Sequence, residues 1–199
     1  MRYTCIIFSV YFIGFQMYFS HITNFLVYTQ GYSTGNAGLV LGIPLIAALP
    51  ITFLCSRYLD NGKFYKVMYA SVALTIAGLL IVWVNKTWVT CLGIFLFGTG
   101  YMCIYQALMV MLKNAMPANM HGQSEGIREI FYVVIPMCIG TPIGSFLIKN
   151  FGFAMENEYG VAGYSANWVT FIAAACWMPL TLIPITLAKK EYLKIKGEN

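Results

Sequence analysis

The residues able to do chemistry are few in this 199-residue chain, and they are widely spaced. The run HGQSEG at residues 121–126 contains G-x-S-x-G beside His121. A serine nucleophile at Ser124 would need a tight strand-to-helix elbow and a carboxylate-oriented His brought in from elsewhere in the fold. No strand-like segment precedes this run, which leads straight into a long apolar stretch, so hydrolysis is the weaker reading. Glu125 and Glu129 suit the positive end of a helix instead, and Glu125 and Arg128, three apart, can pair on its surface. Cys5, Cys55, Cys91, Cys103, Cys138 and Cys176 are scattered, with no CxxC and no His at ligand spacing, and read as apolar fillers. There is no P-loop, dinucleotide fingerprint or metal-ligand cluster, so neither a cofactor nor ATP hydrolysis is expected.

Other polar residues point to binding rather than reaction. Gln16, Ser20, His21, Thr23, Asn24 and Tyr28 fall within an arc of about 160° when residues 4–29 are wound as a helix, with Phe12, Phe15, Phe19 and Phe25 opposite or flanking. Gln16, His21 and Asn24 on that arc predict a wall facing protein or water. An ionisable residue inside an apolar span usually marks a solute or proton path, although His21 held neutral by a neighbouring helix fits the same spacing. Tyr101 and Tyr105, at i and i+4 and followed by Gln106, could stack on or hydrogen-bond a solute. Helix packing or an interfacial aromatic belt explains them equally well.

The elements that must carry these residues are membrane spans. The chain is 59% hydrophobic and 10% charged, with a mean hydropathy of +0.71. Six apolar runs, at about residues 4–29, 38–56, 66–85, 88–112, 124–148 and 165–188, are long enough to cross a hydrocarbon core as helices. The first is about twice the length of a signal-peptide core and no cleavage site follows it, so it counts as a span. Six crossings put Arg2, Arg57, Lys63, Lys66, Lys113, Arg128, Lys189, Lys190, Lys194 and Lys196 on one side, against Lys86 and Lys149 on the other. That asymmetry predicts cytoplasmic termini in a plasma or inner membrane. The net charge of +5 thus reports orientation and gives no reason to expect nucleic acid.

The second and fifth runs share a style. GLVLGIPLIAALPITFLC has Gly38 and Gly42 four apart with Pro44 and Pro50, and IPMCIGTPIGSFLIKNFGF has Gly140 and Gly144 four apart with Pro136 and Pro142. Small residues at this spacing permit close helix contact, and Pro invites bends. Gly/Pro-interrupted helices at matching places in two three-helix halves predict an all-α membrane protein built from inverted repeats.

At this point the residues resemble a known family, the major facilitator superfamily, and specifically its C-terminal six-helix half. LVYTQGYSTGNAGLVLGIPLIAALPITFLCSRYLDNGKFYK is similar to that half's first helix, outer loop, second helix and basic loop built on D-x-x-G-R/K. MPANMHGQSEGI followed by IGTPIGSFL resembles the entry to its fifth helix and that helix's G-x-P-x-x-G run. Here Asp60 and Gly62 are one residue apart rather than two, Lys63 stands where Arg is commoner, and the amides of the first helix lack the sugar-porter spacing. The resemblance implies secondary active transport of a small solute by alternating access, as symporter or antiporter, coupled to a proton or Na⁺. It implies a cytoplasmic gate at Arg57, Asp60, Gly62 and Lys63, to which Glu125 and Arg128 are added. It also implies half of a transporter: a fragment, split subunit or relic that needs an N-terminal six-helix half or a second copy in the bilayer. A non-transporting integral membrane protein is the alternative.

Overall fold

The computed structural model describes residues 2–84, 86–114, 121–156, 160 and 162–196, with side chains described except at 121–124 and 194–196. Six helices are long and apolar enough to span a membrane: α1 (Arg2–Thr29), α2 (Thr34–Asp60), α3 (Phe64–Ile81), α4 (Thr87–Asn114), α5 (Glu125–Phe151) and α6 (Trp168–Leu193). In hydrocarbon the backbone must satisfy its own polar groups, and continuous helices do this for a chain so poor in other partners.

Helix ends are decided by caps, which hydropathy does not see. The α2 helix is longer than its apolar run at both ends because the Ser33 hydroxyl accepts from the Asn36 N–H at 3.4 Å. At the other end Gly62, at φ +71°, lets its N–H bond the Leu59 carbonyl while the Lys63 N–H bonds that of Tyr58. This is a Schellman closure, so Gly62 is required by the turn itself. Conversely α3 stops at Ile81 rather than 85, and the Val84 carbonyl is taken by the side chains of Thr90, at 3.0 Å, and Gln30, at 3.5 Å.

Three spans are internally irregular. In α1 the regular helix ends at Phe19, turns at Ser20 and His21, resumes at Ile22–Asn24 and closes in a wider π turn over Phe25–Thr29. In α5 a π turn over Ile130–Val134 precedes Pro136, whose missing N–H already weakens the ladder there. In α6 a 3₁₀ turn spans Met178–Thr181 around Pro179. The α5–α6 connection contains a feature outside the sequence expectation, a two-stranded antiparallel hairpin of β1 (Phe153–Glu156) and β2 (Ala162–Ser165).

The helices pack in a pattern that repeats. α4 lies along α3 and α2, α1 lies along α6 and α5, and α3 meets α6. Exchanging α1–α3 for α4–α6 maps each of these contacts onto another, an arrangement compatible with two three-helix repeats. The α3–α4 seam is the tightest. A Cβ on Gly78 would stand 2.5 Å from the Gly93 carbonyl oxygen, and one on Gly100 2.5 Å from that of Ser71. On the other side Gly140 and Gly144 of α5 press against the Ile13 and Met17 carbonyls of α1, and Gly14 lies under the Trp177 ring, whose Nε1–H donates to the Val10 carbonyl at 2.8 Å.

One sequence expectation fails here. Gly38 and Gly42 mediate no close contact among the described residues, where nothing lies within 4 Å of a Cβ added at either. The α2–α4 contact is made from the opposite partner, with Gly98 of α4 admitting the Leu45 side chain of α2. Gly spacing shows that a helix can be approached closely, but the neighbour's position decides which face is used.

Replacing Gly144 by Leu should therefore lower stability by about 2–3 kcal/mol through overpacking, whereas Gly38→Leu should stay within about 0.5 kcal/mol. Unfolding in mixed detergent micelles, followed by helical circular dichroism, measures both.

Candidate functional site

The polar arc of α1 is held against α5 rather than spread evenly around a cavity. The turn at Ser20 and His21 divides the polar stretch that runs from Gln16 to Asn24 into a part before it and a part after it. In the first part, Ser20 Oγ donates to Gln16 Oε1 at 3.3 Å and lies 3.2 Å from Thr141 Oγ1. His21 Nε2 sits 3.4 Å from Ser145 Oγ, with its ring beside Gly144. Gln16 and His21 are half-buried, while Ser20, Thr23, Asn24 and Ser145 are exposed. The result is a seam of hydroxyl, amide and imidazole groups between α1 and α5, open along one side.

Thr141 and Ser145 join the polar residues of α1 only through the packing of α5. Their signal is present in GTPIGS: each glycine that admits α1 is followed at once by a hydroxyl residue. The same backbone approach that lets α1 in therefore carries a hydroxyl to its polar edge.

Tyr101 and Tyr105 belong to a second, adjoining group. Tyr101 Oη lies 2.8 Å from Tyr132 Oη of α5, and its ring stacks on Phe15 with centroids 4.7 Å apart. Phe12 meets Tyr132 edge-on at 4.4 Å, and Tyr105 packs against Tyr132 at 5.1 Å. These rings fill the junction of α1, α4 and α5, and Tyr132 is a central member that helical spacing on α4 alone could not reveal. The paired hydroxyls give each of these half-buried phenols a hydrogen-bond partner. Gln106 is turned away from this group. It follows Met102, whose sulfur accepts from Thr52 of α2 at 3.6 Å, by one helical turn, and among the described residues its buried Oε1 has no hydrogen-bond partner.

Arg128 lies at the basic end of the aromatic group. Its guanidinium pairs with both Glu125 and Glu129, one Nη reaches to 3.9 Å from Met109 Sδ of α4, and the side chain is only 18% exposed. The i, i+3 pairing follows the helical spacing, and the second carboxylate completes the neutralisation that a charge so placed requires. The Arg57–Lys63 loop is arranged differently. Arg57, Asp60, Gly62 and Lys63 are exposed, the Arg57 carbonyl accepts from Asn61 Nδ2 at 2.8 Å, and Lys63 Nζ stands 5.8 Å from the centre of the Tyr58 ring. Among the described residues Asp60 pairs with neither Arg57 nor Lys63; the ion pairs found are those of Arg128. The residues assigned to the gate thus occupy two separate helices, with α2 packed on α4 and α5 packed on α1.

The G-x-S-x-G run has no elbow. The backbone over His121–Glu129 is helical, so Ser124 lies within a helix; its side chain and residues 115–120 are outside the described residues. Among the described residues no group of three or more His, Cys, Asp or Glu is gathered as a metal site would require.

Six apolar spans with a polar seam between two of them define a polytopic helical membrane protein. The sequence profile of the Major Facilitator Superfamily matches residues 4–198, and the chain belongs to that family. It is thus a transporter-family protein, of a class that moves small solutes. No curated protein and no solved structure matches the chain.

The Tyr101–Tyr132 contact can be isolated by a double-mutant cycle. Tyr101→Phe, Tyr132→Phe and the double variant should give a coupling of about 0.5–1.5 kcal/mol in detergent unfolding; additive effects would show that the hydroxyl pair contributes nothing.

Proposed function

We propose that the chain forms one wall of a secondary active transporter that carries a small solute by alternating access. The observation that carries this reading is the open polar seam of Gln16, Ser20, His21, Thr141 and Ser145 in an otherwise apolar bundle. Polar groups at such depth are expensive unless they face protein or a water-filled passage. In this reading Gln16, His21 and Asn24 line the passage, Tyr101 and Tyr105 close its side, and Gln106 stands behind them facing α2. His21 would serve a coupling proton; a Na⁺ site built from backbone carbonyls is the other option.

The seam has one wall. The most apolar windows of α2 and α5 are only 22% and 17% buried, against 61% for α1. Leu39, Ile43 and Phe53 on α2 and Val134, Met137 and Phe146 on α5 are all exposed. A complementary six-helix half, or a second copy of this chain, would cover part of that surface and complete the passage. The Arg57–Lys63 loop, without an ion pair among the described residues, together with Glu125 and Arg128, would then work against that partner as the cytoplasmic gate. The sorting of basic residues supports cytoplasmic termini in a plasma or inner membrane.

Two measurements test the reading. On a background with the six native cysteines replaced, Ser20→Cys and Ser145→Cys in liposomes should react with a membrane-impermeant maleimide at least about tenfold faster than Leu187→Cys on α6. Equal rates would mean that the seam faces lipid. Purified alone in liposomes, the chain should show no proton-coupled or Na⁺-coupled solute uptake across a panel of small metabolites; robust uptake by monomers would refute the one-wall assignment.

A further inference from the structure

A second site lies on the outside of the bundle, between α2 and α3. These two helices each pack along α4 but touch one another little, which leaves a groove of about 400 Å³ floored by Thr99 and Cys103 of α4. Its walls are apolar, with Ile51 and Leu54 of α2 facing Ala70 and Leu74 of α3. Ile51 is 39% and Leu54 55% exposed, so the groove opens outward along its length.

The mouth of the groove has a different chemistry. Lys63, Lys66 and Tyr58 line it. Both lysines are exposed, and among the described residues neither is in an ion pair. Lys63 leans over the Tyr58 ring instead of toward Asp60, three residues away. The first turn of α3 begins immediately beyond Lys63, with no acidic residue in it and no side-chain cap on its N–H groups. Two exposed lysines and the positive end of an 18-residue helix therefore share the mouth of the groove.

Within the groove one polar atom is without a partner. Ser71 is among its lining residues, is 1% exposed, and among the described residues its Oγ has no hydrogen-bond partner. Five residues separate Lys66 from Ser71, about 7.5 Å along the helix. Cation at the mouth, hydroxyl one and a half turns deeper, then hydrocarbon: this order matches the phosphate, glycerol ester and acyl chain of a phospholipid.

We infer that the α2–α3 groove binds an anionic glycerophospholipid. Its phosphate lies at Lys63, Lys66 and the α3 N-terminus, an ester carbonyl accepts from Ser71 once that buried side chain turns outward, and an acyl chain lies between Leu54 and Leu74. A free phosphate would use only the mouth and leave the apolar length and the buried hydroxyl unexplained. A zwitterionic lipid would fill the groove but bring its own cation against the lysines. The site lies apart from the polar seam on α1 and α5 but shares Lys63 with the proposed gate, and its lipid would hold α2 and α3 together where direct contact is slight.

The test uses the full chain, delipidated in detergent and offered phosphatidylglycerol and phosphatidylcholine of equal chain length, with bound lipid counted by native mass spectrometry. Phosphatidylglycerol should be retained at least about fivefold more than phosphatidylcholine, and Lys63→Gln with Lys66→Gln should bring the ratio close to one. Lys189→Gln with Lys190→Gln, on exposed positions of α6, should leave the ratio unchanged. Equal retention of the two lipids by the unaltered chain would overturn the proposal, as would an equal loss in the α6 variant. Displacement of the lipid by millimolar glycerol 3-phosphate as readily as by phosphatidylglycerol would overturn it too, by reducing the site to a phosphate pocket.

Discussion

In hydrocarbon, apolar side chains gain nothing by leaving lipid for one another, so helices associate where their backbones can approach closely. The tight seams of this bundle follow that constraint: Gly78, Gly93 and Gly100 between α3 and α4, Gly140 and Gly144 between α5 and α1, and Gly14 beneath Trp177. Large apolar side chains lie instead on outward faces, Leu39, Ile43, Ile46 and Leu54 on α2 and Val134, Met137 and Phe146 on α5. Everything else in the structure, including the position of its polar groups, is arranged around these few backbone contacts.

The seam between α1 and α5 shows the connection to function most directly. Because Gly140 and Gly144 bring α5 against the α1 backbone, the neighbouring hydroxyls of Thr141 and Ser145 reach Ser20 and His21 without long side chains. The interruption of α1 at Ser20 and His21 falls at this same place. A polar side chain that competes with the ladder for backbone partners is tolerated where a neighbouring helix supplies others. In the proposed reading this is where solute meets protein, and the aromatic group at Tyr101, Tyr105 and Tyr132 bounds it on one side.

The two ends of the bundle differ in how charge is handled. Arg128, close to the aromatic group, is neutralised by two carboxylates, as a cation removed from water must be. Lys63 and Lys66, at the end of the α2–α3 groove, have no such partner among the described residues. A cation already paired is a structural element, whereas one left unpaired beside an apolar groove remains available to a ligand. This distinction separates Arg128 from the lysines, although the sequence presents them alike as basic residues near span ends.

The sequence by itself determined the six spans, because a run of apolar residues long enough to cross the bilayer leaves the backbone no alternative to helix. It also determined the asymmetry of charge and the family, through motifs spread along the chain. It carried the polar residues of α1, but not their partners. Gly38 and Gly42 look like Gly140 and Gly144 in sequence, yet only the second pair meets a neighbour, and Thr141, Ser145 and Tyr132 acquire meaning only when α5 is placed. The break at Ser20 and His21, the caps that set the ends of α2, and the β1–β2 hairpin are likewise decisions of local hydrogen bonding and packing. Hydropathy fixes which segments leave water; which face of each then meets which neighbour depends on contacts between residues more than a hundred positions apart, such as Ser20 with Thr141, and those exist only in the folded molecule.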